Sequence, residues 1–357
     1  MKYNLNPLIY IYREMTDDFL VFLDVNSKIH LKLDNPSLIA FLDLLRKSHD
    51  KDSIINDIKK RFDLSSLEAK KMFELLVDKN VIVKKNKDLL KTISTKKLWF
   101  KYGWESAYYF HTYTKDYPFI DYSSAKGSIK DYRLMKNYIK NSSPPPIYKS
   151  YKTKKFDLLK HTTEEIENLK FVRPLEHIKN VSLSLEKLSL LLFLSFGKIS
   201  TFKMDILGES LHKTSPSGGA RHPSECYVFI FSAIDKITPG VYHYLVKDHS
   251  LSLVDKKDYS GEIKEIFYQT NHFRPNKFKA IITITSLFER SMWRYREPRS
   301  FRASVFDIGH LIATIRVASQ SLGLNIIIGD GLDEERIRRI LKIEGLEEEP
   351  FSFIAIK

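Results

Sequence analysis

A single cysteine, Cys226, stands in the 357 residues. One thiol excludes an internal disulfide framework and any cysteine-only metal cluster. No run of ~18 apolar residues occurs, which excludes an α-helical membrane span. No G-x-G-x-x-G follows a strand-like run, so a Rossmann nicotinamide site has no support. No His, Cys or Asp spacing points to a metal. The opening stretch MKYNLNPLIYIYREMTDDF lacks the apolar core and small-residue cleavage site of a secretory signal. These absences lead us to expect a cytoplasmic protein, with Cys226 as a packing residue.

Charge is not scarce. Lys and Arg number 58 against 44 Asp and Glu, a net +14, and the isoelectric point is about 9.4. The cations are scattered and the densest stretch is linker-like, which argues against nucleic acid. It suits a solvated basic surface facing an acidic partner or an anionic cofactor. Residues of the hydrophobic class make up 43% of the chain, enough for real cores.

Three parts are expected, in an α+β chain. In residues 1–90, DFLVFLDVNSKIHLKLD reads as a hairpin about Asn26 and Ser27. Three helical runs and the short strand VIVKK follow, the first with Asn35 as N-cap and Pro36 at N1. That order resembles a small winged-helix domain. Residues 91–164 are aromatic and irregular, and end in the Pro/Lys-rich linker NSSPPPIYKSYKTKK. Residues 165–357 alternate helices and strands. A helix capped by Ser182 or Ser184 stops at Gly197. A strand begins near Cys226, and a hairpin turns at Lys247–His249. A long helix carries Ile308, Leu311, Ile312, Ile315 and Leu322 on one face.

Between the first helix of that part and its first strand lies TSPSGGARHPSEC, residues 214–226. Glycine lets backbone N–H groups approach a flat or anionic ligand, and serine adds short hydroxyl donors. The same composition also suits a tight turn with no ligand.

The residues themselves say more. TSPSGGARHPSECYVF resembles the cofactor loop of the nitroreductase-like flavoenzymes, in particular the SagB/McbC-type dehydrogenases that act on ribosomally made peptides. PGVYHY, WRYREPRSFRASVFDIGHLIATIRVASQSLGL and IIIGDGLDEERIRRILKI resemble three further stretches of that family, in its order. The resemblance implies an FMN-binding fold and a flavin lying against Ser215, Pro216, Ser217, Gly218, Gly219 and Pro223. Lys213 stands where an arginine is often found. The turn Gly329–Asp330–Gly331 would bring a backbone N–H near the flavin N5. It implies azoline-to-azole oxidation of a precursor peptide, a homodimer, and a cyclodehydratase or other modifying enzyme as partner. The hairpin and helices of residues 1–90 resemble a PqqD-like element that captures a leader peptide by strand addition.

Two departures stand out. The family's Lys-Tyr pair is Arg294-Tyr295 here, and a guanidinium is a poor general base. Tyr295 then carries the proton step, or the reaction is another Cα–Cβ oxidation or reduction. Arg294 reads equally as an ion pair with Glu297 or Glu289. The family's arginine-rich phosphate grip is reduced to Arg173 in FVRPLEH, which leaves Arg299, Arg302, Arg336 and Lys213 as candidates, Arg302 foremost. His310 reads as a satisfied core histidine, with Asp307 as its partner or as a helix N-terminal charge. The alternatives from other classes are a flavin-free scaffold subunit and a basic DNA-binding regulator.

Overall fold

The computed structural model describes residues 1–13, 20–25, 28–33, 40–42, 45, 47, 49–121, 123–169, 181–272 and 278–357. The chain divides into two compact units, Met1–Phe119 and Ile120–Lys357.

In the first unit, β1 (Lys2–Leu5) pairs with β5 (His49–Asp50) and β6 (Ile82–Lys84). A separate meander joins β2 (Ile9–Arg13), β3 (Leu20–Asp24) and β4 (Ile29–Leu33). Helix α1 (Lys51–Phe62) starts at Asp50, whose carboxylate accepts from the Ser53 amide. Helix α2 (Ser66–Asp78) starts in a capping box of Ser65 and Glu68. Ile54, Ile58, Phe73, Leu76 and Ile82 close their core. The expected hairpin, both helices and the strand are therefore present. Most of the first expected helix, with Asn35 and Pro36, lies outside the described residues, as do Asn26 and Ser27. Strands β1 and β2 were not anticipated; at four and five residues they are too short to show a period.

Residues 91–164 differ from the expected irregular connector. They fold largely as helices: α3 (Lys87–Lys101), α4 (Glu105–Thr114) and α5 (Ala125–Asn141). Asn86 and Ser124 cap two of them. Trp99, Phe100, Tyr108 and Tyr109 meet edge to face, so packing overrides the modest helix propensity of aromatics.

The second unit is built on β10 (Ser224–Ile230), in which every residue is buried. A strand buried on both faces belongs at a sheet centre. The order is β14 (Ile326–Gly329), β15 (Glu348–Ile356), β13 (Ala280–Leu287), β10, β11 (Gly240–Leu245), β12 (Ser250–Asp255) and β7 (Lys155–Asp157). All six pairings are antiparallel. Alternation along β10 sorts its side chains. Cys226, Val228 and Ile230 meet α7 (Leu185–Phe196) and α10 (Ser300–Ser321). Tyr227 and Phe229 meet Phe267, Phe353 and α11 (Glu334–Leu341). Ser184 caps α7 and Gly197 ends it. An unanticipated hairpin, β8 (Lys198–Met204) and β9 (Gly208–Lys213), follows.

The Pro/Lys-rich segment does not project. Ser142 accepts from the Trp293 indole at 2.9 Å, and the Pro146 carbonyl accepts from Arg290 Nε at 3.0 Å. The Lys149 amine reaches Tyr227 Oη at 2.7 Å, and Thr153 meets Ser252 at 2.7 Å. The segment is a strap over its own unit.

Ile282 is fully buried at the centre of β13. Ile282→Ala is expected to cost about 2–5 kcal/mol, read from the urea midpoint.

Candidate functional site

The loop 214–223 leaves β9 and enters β10. Gly219, Ala220 and His222 all have left-handed backbones, with φ of 60°, 55° and 48°. Its side chains turn inward. Ser215 Oγ donates to the Ser195 carbonyl at 2.8 Å and to Thr314 Oγ1 at 3.2 Å. Ser217 Oγ donates to Asp307 Oδ2 at 2.5 Å and accepts from the His222 amide at 2.9 Å. The Gly218 amide donates to Asp307 Oδ1 at 3.0 Å. Burial pushes the Asp307 carboxyl up, and these two donors hold it back. With the hydroxyls engaged inside, Pro216, Gly218 and Gly219 are left on the surface. Asp307 is thus the clamp of the loop rather than the partner of a core histidine, and His310 is exposed.

Lys213 closes β9, half-buried. Burial pulls its ammonium down to about 8, Glu225 opposes this, and Arg290 adds to it. A small cavity of about 20 Å³ lies between Lys213, Ser195, Ser215, Ser224 and Asp307. Among the described residues, the buried Ser195 and Ser224 hydroxyls have no hydrogen-bond partner. Behind it, Arg290 Nη1 donates to Glu225 Oε1 at 2.5 Å and to the His222 carbonyl at 2.9 Å. His243 Nε2 meets Glu225 Oε2 at 2.7 Å.

Tyr295 and Gly219 are in contact. A Cβ on Gly219 would lie 1.9 Å from Tyr295 Oη, so both φ and space require glycine. Arg294 stacks over the Tyr295 ring at 4.8 Å. Its Nη2 donates at 2.9 Å to both oxygens of Asp131 on α5. The ion pair is real, but its partner is neither Glu297 nor Glu289. Glu297 instead accepts from the Arg299 amide at 2.6 Å.

The other expected residues stand elsewhere. The Gly331 amide donates to Gln269 Oε1 at 2.6 Å, and Gln269 Nε2 donates to Asp330 at 2.6 Å. The Gly329 carbonyl accepts from Ser352 at 2.8 Å. The turn is therefore closed on its own unit by Gln269. Arg302 is half-buried in the first turn of α10. Arg173 lies outside the described residues. Asp307, Asp131, Glu225 and Arg290 were missed as organisers. Asp307 left a trace: an acid three residues after Ser304 and four before Leu311 shares the apolar face of its helix.

The family match follows this geometry. Residues 182–356 match the Nitroreductase family model. They are a nitroreductase-family domain. The chain is similar to the trifolitoxin-processing protein TfxB of Rhizobium leguminosarum bv. trifolii, 37% identical over 175 residues, 49% of this chain and 47% of that protein. The match thus spans about half the length of TfxB. It is also similar to MJ1384 of Methanocaldococcus jannaschii, named as a nitroreductase, 28% identical over 167 residues, 45% of this chain and 76% of that one. Among solved structures, the E. coli microcin synthetase McbBCD complex with truncated pro-MccB17 aligns with a TM-score of 0.43 and 18% identity, covering 64% of this chain and 91% of that one.

Two outcomes are expected. Asp307→Ala leaves Ser217 and the Gly218 amide unpaired and lowers stability by about 2–3 kcal/mol in urea unfolding. His222 gives a pH signature. Burial, then Lys213, pushes its imidazole from 6.5 down to about 3. Below 6.5 the unfolded chain therefore binds a proton that the folded chain refuses, and stability falls with pH by at most about 1.4 kcal/mol per unit. His222→Asn tolerates the left-handed backbone and is expected to flatten the melting temperature between pH 6.5 and 4.5.

Proposed function

We propose that the chain is an FMN-dependent oxidoreductase that dehydrogenates a ribosomally synthesised peptide, with azoline-to-azole oxidation as its reaction. The observation that carries this reading is the loop 214–223, clamped by Asp307 with its exposed Gly219 against Tyr295. It lies inside the nitroreductase-family domain, in the half of the chain similar to a trifolitoxin-processing protein.

The donor set fits FMN. Among the described residues Lys213 offers a cation with no carboxylate hydrogen-bonded to it, Pro216, Gly218 and Gly219 allow close backbone approach, and Arg302 is the candidate for the phosphate. When bound, FMN supplies the two-electron acceptor. The chain's own residues orient the substrate and handle the proton. Azoline oxidation removes one proton from the α-carbon and one hydride from the β-carbon. In this reading the Tyr295 hydroxyl moves the proton. Arg294, held on Asp131, fixes the ring it stacks on.

Two wider proposals have support. Helix α10 exposes Phe301, Val305, Phe306 and Val317, an apolar face suited to a homodimer. The small sheets of the first unit offer edge strands to which a leader peptide can add.

The test is the visible absorbance of the purified protein, with chromatography of the chromophore released by heat. About one FMN per chain is expected, and Lys213→Ala should weaken FMN binding roughly tenfold. A colourless protein that takes up no added FMN would overturn the reading and favour a scaffold role.

A further inference from the structure

Helix α5 and the turn after β8 enclose an open cavity of about 680 Å³. Ile129, Tyr132 and Met135 line one wall, and Ile206 and Leu207 the other, with Arg294 at one end. Ile129 is 52% and Tyr132 39% exposed, so the apolar floor is open to solvent. Its rim is basic: Arg133 and Lys136 line the cavity, and Lys126 and Lys130 stand on the same helix. Of its two acids, Asp131 is taken by Arg294, which leaves Asp205.

Arg221 joins this cavity to the loop. Its Nε donates to the Gly219 carbonyl at 2.8 Å, and its Nη2 lies 3.2 Å from Met204 Sδ on the cavity wall. Among the described residues it forms no ion pair with a carboxylate. Of its neighbours, Arg294 is a like charge that acts on it. An apolar trough with a cationic rim, backed behind Met204 by a half-buried guanidinium with no carboxylate partner among the described residues, suits an apolar chain that carries a carboxylate.

We propose that this groove seats an extended acidic segment of the peptide substrate, with apolar side chains between α5 and the β8–β9 turn and a carboxylate on Arg221. The site rests on the peptide reading above and adds a substrate class to it: residues flanking the modified position are apolar and acidic. Arg294, shared by groove and candidate site, sets the distance between the two.

The probe is a fluorescein-labelled, C-amidated peptide, Gly-Leu-Phe-Glu-Leu-Gly, read by anisotropy on the full chain, with a Gln-for-Glu counterpart. Binding tighter than ~1 mM is expected, weakened roughly tenfold by Gln. Ile129→Asp should weaken both peptides about tenfold, and Arg221→Gln should abolish the difference between them. Ile129 is exposed, and circular dichroism checks each variant's fold. Equal affinity in wild type and Ile129→Asp, or no binding by wild type, overturns the groove. So does a change of oligomeric state in Ile129→Asp, which would make the groove a contact between copies. FMN content is measured separately: a colourless chain that binds peptide through Ile129 keeps the groove and sinks the flavin reading.

Discussion

The placement of the loop and strap depends on one buried carboxylate. Glu225 sits on the central strand with almost no solvent contact, where an unpaired charge would be prohibitive. Burial alone would raise its pKa, but Arg290 and His243 outweigh this and hold it well below the usual carboxylate range. Arg290, also buried, then has donors left over. It spends them on the His222 carbonyl at the end of the loop and the Pro146 carbonyl on the strap. One strand residue thereby fixes a cation, and the cation fixes two irregular segments that have no sheet or helix of their own. A second, half-buried pair repeats the device. Lys149 on the strap meets Glu348 on β15, which also accepts from Thr285 Oγ1 at 2.6 Å and Tyr227 Oη at 3.1 Å. Such pairs add little net stability against an apolar core, yet breaking one is costly, so they specify geometry.

The loop shows what that geometry secures. Three left-handed residues in four positions, two of them not glycine, cost roughly 1–2 kcal/mol for each non-glycine residue. Asp307, Ser217 and Arg290 offset this by satisfying the groups inside the loop. The outcome inverts the simplest reading of a Ser/Gly loop. The hydroxylated side chains and the Gly218 amide serve the protein, and Pro216, Gly218 and Gly219 are the residues left exposed.

The second unit was largely legible because its elements are strongly patterned. Leu185–Phe196, Ala280–Leu287 and Ser300–Ser321 announce themselves by caps, continuous apolar runs or a helical stripe. The helices α3 to α5 were not legible, because aromatic residues have modest helix propensity and the scattered lysines leave no clear apolar stripe until Trp99, Tyr108 and Met135 find partners. Within the candidate site, motif spacing reached the residues on the loop and on either side of Tyr295. It could not reach the partners. Asp131 lies 163 residues from Arg294, and Asp307 lies 90 from Ser217. Long-range pairing of that kind leaves no local period.

Those distant partners also account for arginine at position 294. A lysine carries a compact charge, whereas a guanidinium is planar, stacks on an aromatic face and grips a carboxylate through a fork. Arg294 lies over Tyr295 while one of its nitrogens, Nη2, bonds both oxygens of Asp131. A lysine could keep the charge and reach Asp131 through its one nitrogen, but it could not also lay a planar cation over the Tyr295 ring. The substitution therefore has a physical reason independent of proton transfer: it ties α5, and with it one wall of the groove, to the tyrosine beside the loop. The arginine is thereby committed to position, between a carboxylate on one side and an aromatic ring on the other.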